Sequence, residues 1–333
     1  MIDGMSTASM TAVVAPEPGP PEVLELREVP RPVPGPGAVF IRATAIGVNP
    51  VDAKTRAGKG AAGLLDGAPH PGHPDADGAG AFPWIPGWDV AGVVEEAGWG
   101  VVRFAPGDRV FGMVGFPRRA DGYAEYVVAP QSQLSRSPRS LSDEETVALA
   151  LPGLTAWQAL VDAGGLEVNQ RLLVLAAAGG VGHLAVQIGV DLGAEVVAVG
   201  SPGNLEFLRD LGASEVLDRT AIDDLASATA PVDLVLDGVG GDVRAQAFAV
   251  AKAGGVVATL PSNSWAGPVP RDDVRAPQVF VVPDGLELQL LTGTVERGML
   301  KPHVADVLPL AEAAEAHRRI EAGTVRGKLV LRP

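Results

Sequence analysis

Three consecutive pieces decide the fold: Arg171-Leu-Leu-Val-Leu-Ala176, then Ala177-Ala178-Gly179-Gly180-Val181-Gly182, then His183-Leu-Ala-Val-Gln-Ile-Gly-Val-Asp-Leu-Gly193. The first is a short apolar run of the kind a buried parallel strand shows. The last puts Val181, Leu184, Ala185, Ile188 and Leu192 on one helical face. The glycines between them allow the backbone to approach a diphosphate, and the helix start offers free N–H groups and a partial positive charge. The spacing, Ala176-x-x-Gly179-x-x-Gly182, is looser than the G-x-G-x-x-G fingerprint. The strand before it and the helix after it supply the context that the fingerprint requires. A second unit follows at once, with a strand at Glu195–Val199, a turn at Gly200–Gly203 and a helix from Asn204 to Leu211 closed by Gly212. The stretch predicts a dinucleotide site and redox chemistry.

The end of the second strand discriminates between nicotinamide cofactors. An NAD-type site carries an acid there for the ribose 2′-hydroxyl. This chain has Val199-Gly200-Ser201, with no carboxylate to repel a 2′-phosphate. Ser201 and Asn204 are candidate hydrogen-bond donors to that phosphate, and Arg209 or Arg219 would add charge. The expected cofactor is NADPH. Asn204 also suits a helix N-cap.

Composition narrows the classes. The chain has 333 residues, enough for two domains. A net charge of −14 argues against nucleic acid and anionic membranes as partners. No apolar run approaches the roughly 20 residues of a membrane span. The first residues lack a basic region followed by an apolar stretch, so residues 1–9 read as a disordered tail and the cytoplasm as the compartment. The absence of cysteine excludes disulfides, a catalytic thiolate and Cys-based zinc sites.

Outward from the central stretch, the first third is strand-like and punctuated by Pro and Gly. Strands are expected at Thr11–Ala15, Val23–Val29, Val39–Ile46, Val90–Glu95, Arg109–Met113 and Tyr123–Val128, an antiparallel barrel or sandwich pattern. Residues 58–84 read as a flexible insert loop. Its His70, His73, Asp75 and Asp77 lack the rigid frame a metal site needs. From Leu172 onward strands and helices alternate, with Leu172–Ala176, Val196–Val199, Glu215–Leu217, Leu234–Asp237, Val256–Leu260 and Phe280–Val282 as strands. That is a doubly wound parallel sheet of about six strands. A helix at Leu310–Ala322 and a strand at Lys328–Arg332 end the chain.

Several segments resemble the zinc-free quinone oxidoreductase branch of the medium-chain dehydrogenase/reductase superfamily. They are Glu22–Pro30, Gly47-Val-Asn-Pro-Val-Asp-Ala-Lys54, Pro86-Gly-Trp-Asp-Val-Ala-Gly92, Gly107-Asp-Arg-Val110, Gly122-Tyr-Ala-Glu-Tyr126, Leu151–Leu160, Gly179-Gly-Val-Gly182 and Gly327-Lys-Leu-Val-Leu331. The resemblance implies an α/β protein with a GroES-like β-barrel domain from residues 10–150 and 285–333. A Rossmann NADP-binding domain would span 151–284, with the cofactor in the cleft between the two. It also implies a homodimer. Zinc-dependent relatives carry Gly-His-Glu where this chain has Gly87-Trp88-Asp89, and a Cys near Asn49, so zinc-assisted chemistry is not expected.

The same resemblance places Asn49 against the nicotinamide and the substrate, although Asn-Pro also opens turns. Lys54 is a candidate donor to a substrate oxygen or else a solvated helix charge. Asp52 would orient its neighbours. These three are the candidate catalytic residues. The Thr155 hydroxyl would approach the nicotinamide ribose or amide, or cap a helix. Trp88 would line the substrate pocket. Ala178, Gly179, Gly180 and Val181 would cradle the diphosphate. Gly238 and Val239 end one strand at the ligand-binding edge and Leu260 ends the next. Phe280 and Val282 would flank the carboxamide. Lys328 resembles a residue that reaches the cofactor phosphates, its alternative being a surface charge. His183 reads as a solvated or edge histidine, and His317 carries no catalytic spacing.

The expected reaction is hydride transfer from NADPH to a quinone or an activated C=C bond. An enoyl-thioester reductase or a natural-product tailoring reductase fits the same residues. The former is weakened because no tyrosine follows the Asn-Pro segment in Arg56-Ala-Gly-Lys-Gly60. A rival from another class is a crystallin-like or regulatory protein that binds NADPH without turnover.

Overall fold

The computed structural model describes residues 8–61, 83–260 and 269–333. Most of the insert at 58–84, with its His and Asp residues, and most of the tail at 1–9 lie outside the described residues. The chain divides into two compact units. One comprises Met1–Leu151, Val282–Glu296 and Val304–Pro333, and the other Pro152–Val281 with Arg297–His303.

The first unit opens with a hairpin of β1 (Ser9–Val14) and β2 (Glu25–Pro30). Its main sheet uses β3 (Ala38–Val48), β4 (Asp89–Ala97), β5 (Arg109–Met113), β6 (Tyr126–Pro130) and the three-residue β7 (Leu134–Arg136). β3 is the long central strand. Its apolar side chains are buried except half-buried Phe40, and it pairs antiparallel with β4 along its length and with β6 at its start.

The second unit is a parallel sheet of β8 (Arg171–Val174), β9 (Glu195–Gly200), β10 (Glu215–Asp218), β11 (Val232–Asp237) and β12 (Ala251–Thr259), in the order β10-β9-β8-β11-β12. From β8 the chain winds outward through β9 to β10, then crosses to β11 and β12 on the other side. The topological switch point therefore falls between β8 and β11, where ligands bind at the carboxyl edge of such sheets. Leu173, Val197, Val235, Val257 and Phe248 are fully buried in this unit's core. The sheet has five strands where about six were expected. Phe280–Val282 is not a strand; Arg275 and Gln278 instead form single parallel bridges beside β12, to Val256 and Thr259. Pro277 interrupts that stretch and removes a ladder donor.

The chain then returns to the first unit. β13 (Val304–Pro309) pairs parallel with β14 (Lys328–Arg332), which joins the end of β3. Helix Ala313–Glu321 connects the two. Neither β7 nor β13 is foreseen from the sequence. β7 is too short to show a period, and Val304-Ala-Asp-Val-Leu-Pro309 does not alternate. No helix among the described residues is long and apolar enough to cross a membrane.

Candidate active site

Asn49 stands between β3 and helix Pro50–Arg56, with Pro50 at the first helical position, where its missing N–H costs nothing. The Asn49 backbone N–H donates to Asp52 Oδ2 at 2.7 Å, one half of a capping box. Its side chain is directed elsewhere. Nδ2 donates to Asp89 Oδ2 at 2.8 Å, and Oδ1 accepts from Lys328 Nζ at 2.6 Å. Lys328 also donates to the Val48 carbonyl at 2.7 Å and lies 3.6 Å from Asp89 Oδ2. Asp89 Oδ1 accepts the Leu151 N–H at 2.9 Å. All four side chains are sealed: Asn49 is 2% exposed, Asp52 and Asp89 0%, Lys328 3%. Gly47 makes this possible. It pairs with Asp89 across β3 and β4, and a Cβ there would stand 2.9 Å from the Asp89 carboxylate.

A second chain of polar groups runs outward from Asp52. Tyr123 O–H donates to Asp52 Oδ2 at 3.2 Å. Tyr123 also meets His317 Nε2 at 3.1 Å, and His317 Nδ1 meets Arg56 Nη1 at 3.2 Å. Arg56 is a donor only, so Nδ1 accepts and the proton of the neutral ring sits on Nε2. Arg56 itself is 2% exposed and pairs with Glu321 at 2.5 Å. Burial dominates the titration of these groups. It pushes Asp52 up to about 7, with Asp89 adding to the rise and the Asn49 N–H, Lys328 and Tyr123 opposing it. It pushes His317 down to about 3, with Arg56 adding to the fall. Burial likewise raises Asp89 and lowers Lys328.

These contacts revise several sequence expectations. Lys328 is neither a surface charge nor a cation reaching for phosphates, because its ammonium is spent on Val48, Asn49 and Asp89. Trp88 cannot line an open pocket: it is 0% exposed, packs against Trp84 and Phe116, and donates its indole N–H to the Arg118 carbonyl. His317 is buried inside the network. Lys54 is exposed on helix Pro50–Arg56. Asp89, Tyr123, His317 and Arg56 were not singled out as site residues. Gly47 opposite Asp89 was the available signal, readable only once the strands are paired.

In the second unit, the turn after β8 is held by Ala177 N–H donating to the Val199 carbonyl at 3.1 Å, and Ala176 adopts a positive φ of 52°. Gly182 starts helix Gly182–Asp191, where a Cβ would lie 2.4 Å from the Ala176 carbonyl oxygen. Only glycine permits so close an approach of helix to strand. His183 is fully buried, not solvated. Its Nε2 accepts the His303 N–H at 3.0 Å, so Nδ1 carries the proton and donates to the Gly179 carbonyl at 2.9 Å. Ala178 is buried; Gly179, Gly180 and Val181 are half-buried.

Across the switch point, β11 ends in Asp237, followed by exposed Gly238 and Val239. Asp237 Oδ1 accepts the Val239 and Gly240 N–H groups at 2.9 and 2.8 Å, while its buried Oδ2 has no partner among the described residues. Leu260 follows β12 and donates its N–H to the Asp237 carbonyl. At the end of β9, Asn204 Nδ2 donates to Ser201 Oγ at 3.0 Å, so this side chain does not cap its helix. Arg219, exposed, bonds through its N–H to the Gly200 carbonyl at 2.9 Å and so stands at the same edge. Thr155 is buried within helix Ala150–Trp157 and is not a cap. Phe280 and Val282 are about half exposed.

A dinucleotide fits this edge. The turn is partly open, Gly238 has no described atom closer than 3.7 Å to where a Cβ would stand, and Asp237 Oδ2 meets no donor among the described residues. Zinc does not fit the Asn49 cluster. The chain has no cysteine, and the Lys328 ammonium already occupies the cation's place between Asn49 and Asp89.

A GroES-like barrel unit joined to a dinucleotide-type parallel sheet defines a class of nicotinamide-dependent oxidoreductases, and comparison with known proteins agrees. Residues 35–139 match the alcohol dehydrogenase GroES-like domain, and residues 211–331 match a family described as zinc-binding dehydrogenase. The solved quinone oxidoreductase of Coxiella burnetii superposes with a TM-score of 0.86 at 33% identity, over 98% of this chain and 100% of that one. The mitochondrial NAD(P)H oxidoreductase of Danio rerio is 31% identical, over 89% of this chain and 84% of its own length. The 2-methylene-furan-3-one reductase of Solanum lycopersicum is 32% identical, over 89% of this chain and 71% of its own. The chain belongs to the quinone oxidoreductase branch of the medium-chain dehydrogenase/reductase superfamily and is an oxidoreductase of that type.

Proposed function

We propose that this oxidoreductase uses NADPH to reduce a quinone or an activated C=C bond, an enone or enal, without zinc. The observation that carries the reading is the carboxyl edge of the second unit. There the Gly-rich turn and Asp237-Gly238 flank the switch point, and the end of β9 presents Ser201, Asn204 and Arg219; the acid paired beside Gly200, Asp218 on β10, has Oδ1 engaged by the Thr220 N–H and hydroxyl. The tomato relative's named substrate is an enone, which favours an activated C=C bond within this class.

Bound NADPH would supply the hydride. Ala178, Gly179, Gly180 and Val181 would hold its diphosphate on backbone N–H groups at a helix start. Ser201, Asn204 and Arg219 would take the 2′-phosphate. Thr155, Gly238, Val239, Leu260, Phe280 and Val282 would contribute to the remaining contacts. As hydride reaches the acceptor carbon, negative charge develops on the conjugated oxygen, and a proton from water completes the quinol or saturated ketone. Asn49 would stabilise that charge with its second amide N–H, since Asp89 takes only one. Lys328 fixes the direction of the amide by holding Oδ1. Lys54, exposed on the helix after Asn49, is a second candidate donor.

Oxidation of NADPH by a panel of quinones, enones, alkenals and enoyl thioesters tests this reading, with NADH run in parallel. Turnover of a quinone or enone with preference for NADPH is expected. Equal or faster rates with NADH would remove the Ser201 argument. Tight NADPH binding without oxidation by any acceptor would favour a non-catalytic binding protein.

A further inference from the structure

The polar chain behind Asn49 has a direction and a charge count, and both end on Asp52. Arg56 donates to His317 Nδ1, His317 Nε2–H donates to Tyr123, and Tyr123 O–H donates to Asp52 Oδ2. Asp52 Oδ2 also accepts the Asn49 N–H, so this oxygen is the acceptor of two bonds. Oδ1 is buried and has no partner among the described residues. The groups facing Asp52 come from every element around it: Asn49 and Arg56 on its own segment, Asp89 on β4, Tyr123 ahead of β6, His317 and Glu321 on helix Ala313–Glu321, and Lys328 on β14. Lys328 pairs with Asp89, and Arg56 with Glu321. Each pair is neutral overall and His317 is neutral. Asp52 is then the acid in this buried cluster with no cation of its own among the described residues. An ionised carboxylate there would leave a sealed charge beside Asp89 with one oxygen unsolvated, which costs more than an unmet hydroxyl.

We propose that Asp52 carries a proton on Oδ1 in the resting protein, and that Tyr123 and His317 are positioning residues whose hold on Asp52 sets the working pH of the Asn49–Lys328 cluster. Burial pushing Asp52 up to about 7 is consistent with this. In the neutral form, Lys328 answers to Asn49 and Asp89 alone. Loss of the proton adds a second carboxylate that draws on the same ammonium and weakens its grip on Asn49 Oδ1. The proposal rests on the reading of Asn49 as the group that meets the acceptor's developing charge.

The test combines a direct titration with a rate. In protein labelled with 13C at aspartate carboxyls, the Asp52 resonance is the one lost in Asp52→Asn. It is expected to titrate near neutrality. Tyr123→Phe removes a donor that favours the carboxylate and is expected to move that titration upward by about one pH unit. His317→Gln cuts the chain one link further out and serves if Tyr123→Phe does not fold. The single-turnover rate of NADPH oxidation is expected to fall across the same pH range in the wild type, to follow the shifted range in Tyr123→Phe, and to lose the inflection in Asp52→Asn. An Asp52 resonance that titrates in the ordinary carboxylate range, or that ignores Tyr123→Phe, overturns the proposal. So does a rate inflection that survives in Asp52→Asn. If the wild type oxidises NADPH with no acceptor at any pH, the reductase reading fails and the link to working pH with it. The carboxyl titration still decides where the proton sits.

Discussion

Lys328 shows how one side chain changes meaning between sequence and structure. In Arg326-Gly-Lys it is a lysine near the chain end; in the fold it is a buried ammonium that orients the Asn49 amide. Lys328→Met is expected to leave Asp89 without its cation and to destabilise the protein by about 3–5 kcal/mol, read from the urea midpoint at pH 7. The Asn49–Lys328 partnership spans 279 positions of sequence, and no local pattern announces such a pair. Ser201 behaves differently, because its meaning is local. It follows a strand whose position the apolar run already fixes, so its place at the end of β9 was legible, while Asp218 opposite Gly200 emerges only once the strands are paired. Ser201→Asp is expected to weaken NADPH binding roughly tenfold or more by repelling the 2′-phosphate, with a small effect on NADH. Isothermal titration of both cofactors checks it; equal losses for the two would remove Ser201 from the 2′-phosphate site.

Helices Pro50–Arg56 and Ala313–Glu321 are tied together by Arg56 with His317 and Glu321, and the tie has an acid-base consequence. The Asp52 carboxyl is raised in the folded state, from 3.8 to about 7. Between these values the folded chain holds a proton that the unfolded chain has released, so this group makes stability fall as pH rises. His317 is lowered from 6.5 to about 3. Over that span the unfolded chain holds the extra proton, so His317 makes stability rise with pH. From about pH 4 to 6.5 the two slopes are equal and opposite, each about 1.4 kcal/mol per pH unit. Removing one group should expose the other. Relative to wild type, His317→Gln is expected to lose stability steadily from pH 4 to 6.5 and Asp52→Asn to gain it. Denaturant melts at several pH values check this, and parallel profiles in all three proteins would contradict the tie. None of it is legible from element patterns. His317 lies in a short polar helix, and its partner Arg56 is 261 residues away.

For the whole molecule, sequence patterns carried the architecture well and the interior chemistry poorly. Arg109–Met113 and Lys328–Arg332 form strands with the expected bounds because alternation or apolar runs mark them. The Gly-rich turn and both strands around the switch point were also legible, since their signal is contiguous. Phe280–Val282 failed because an apolar triplet does not make a strand after Pro277. The chemical act proposed for the molecule is transfer of hydride from NADPH to an acceptor carbon or quinone. The direct measurement incubates the protein with an enone and NADPH stereospecifically deuterated at C4, each epimer in turn, and reads the product by mass spectrometry. One deuterium on the β-carbon from one epimer, and none from the other, is the expected result. Unlabelled product from both epimers, or unreduced enone and quinone with NADPH intact, would contradict the account.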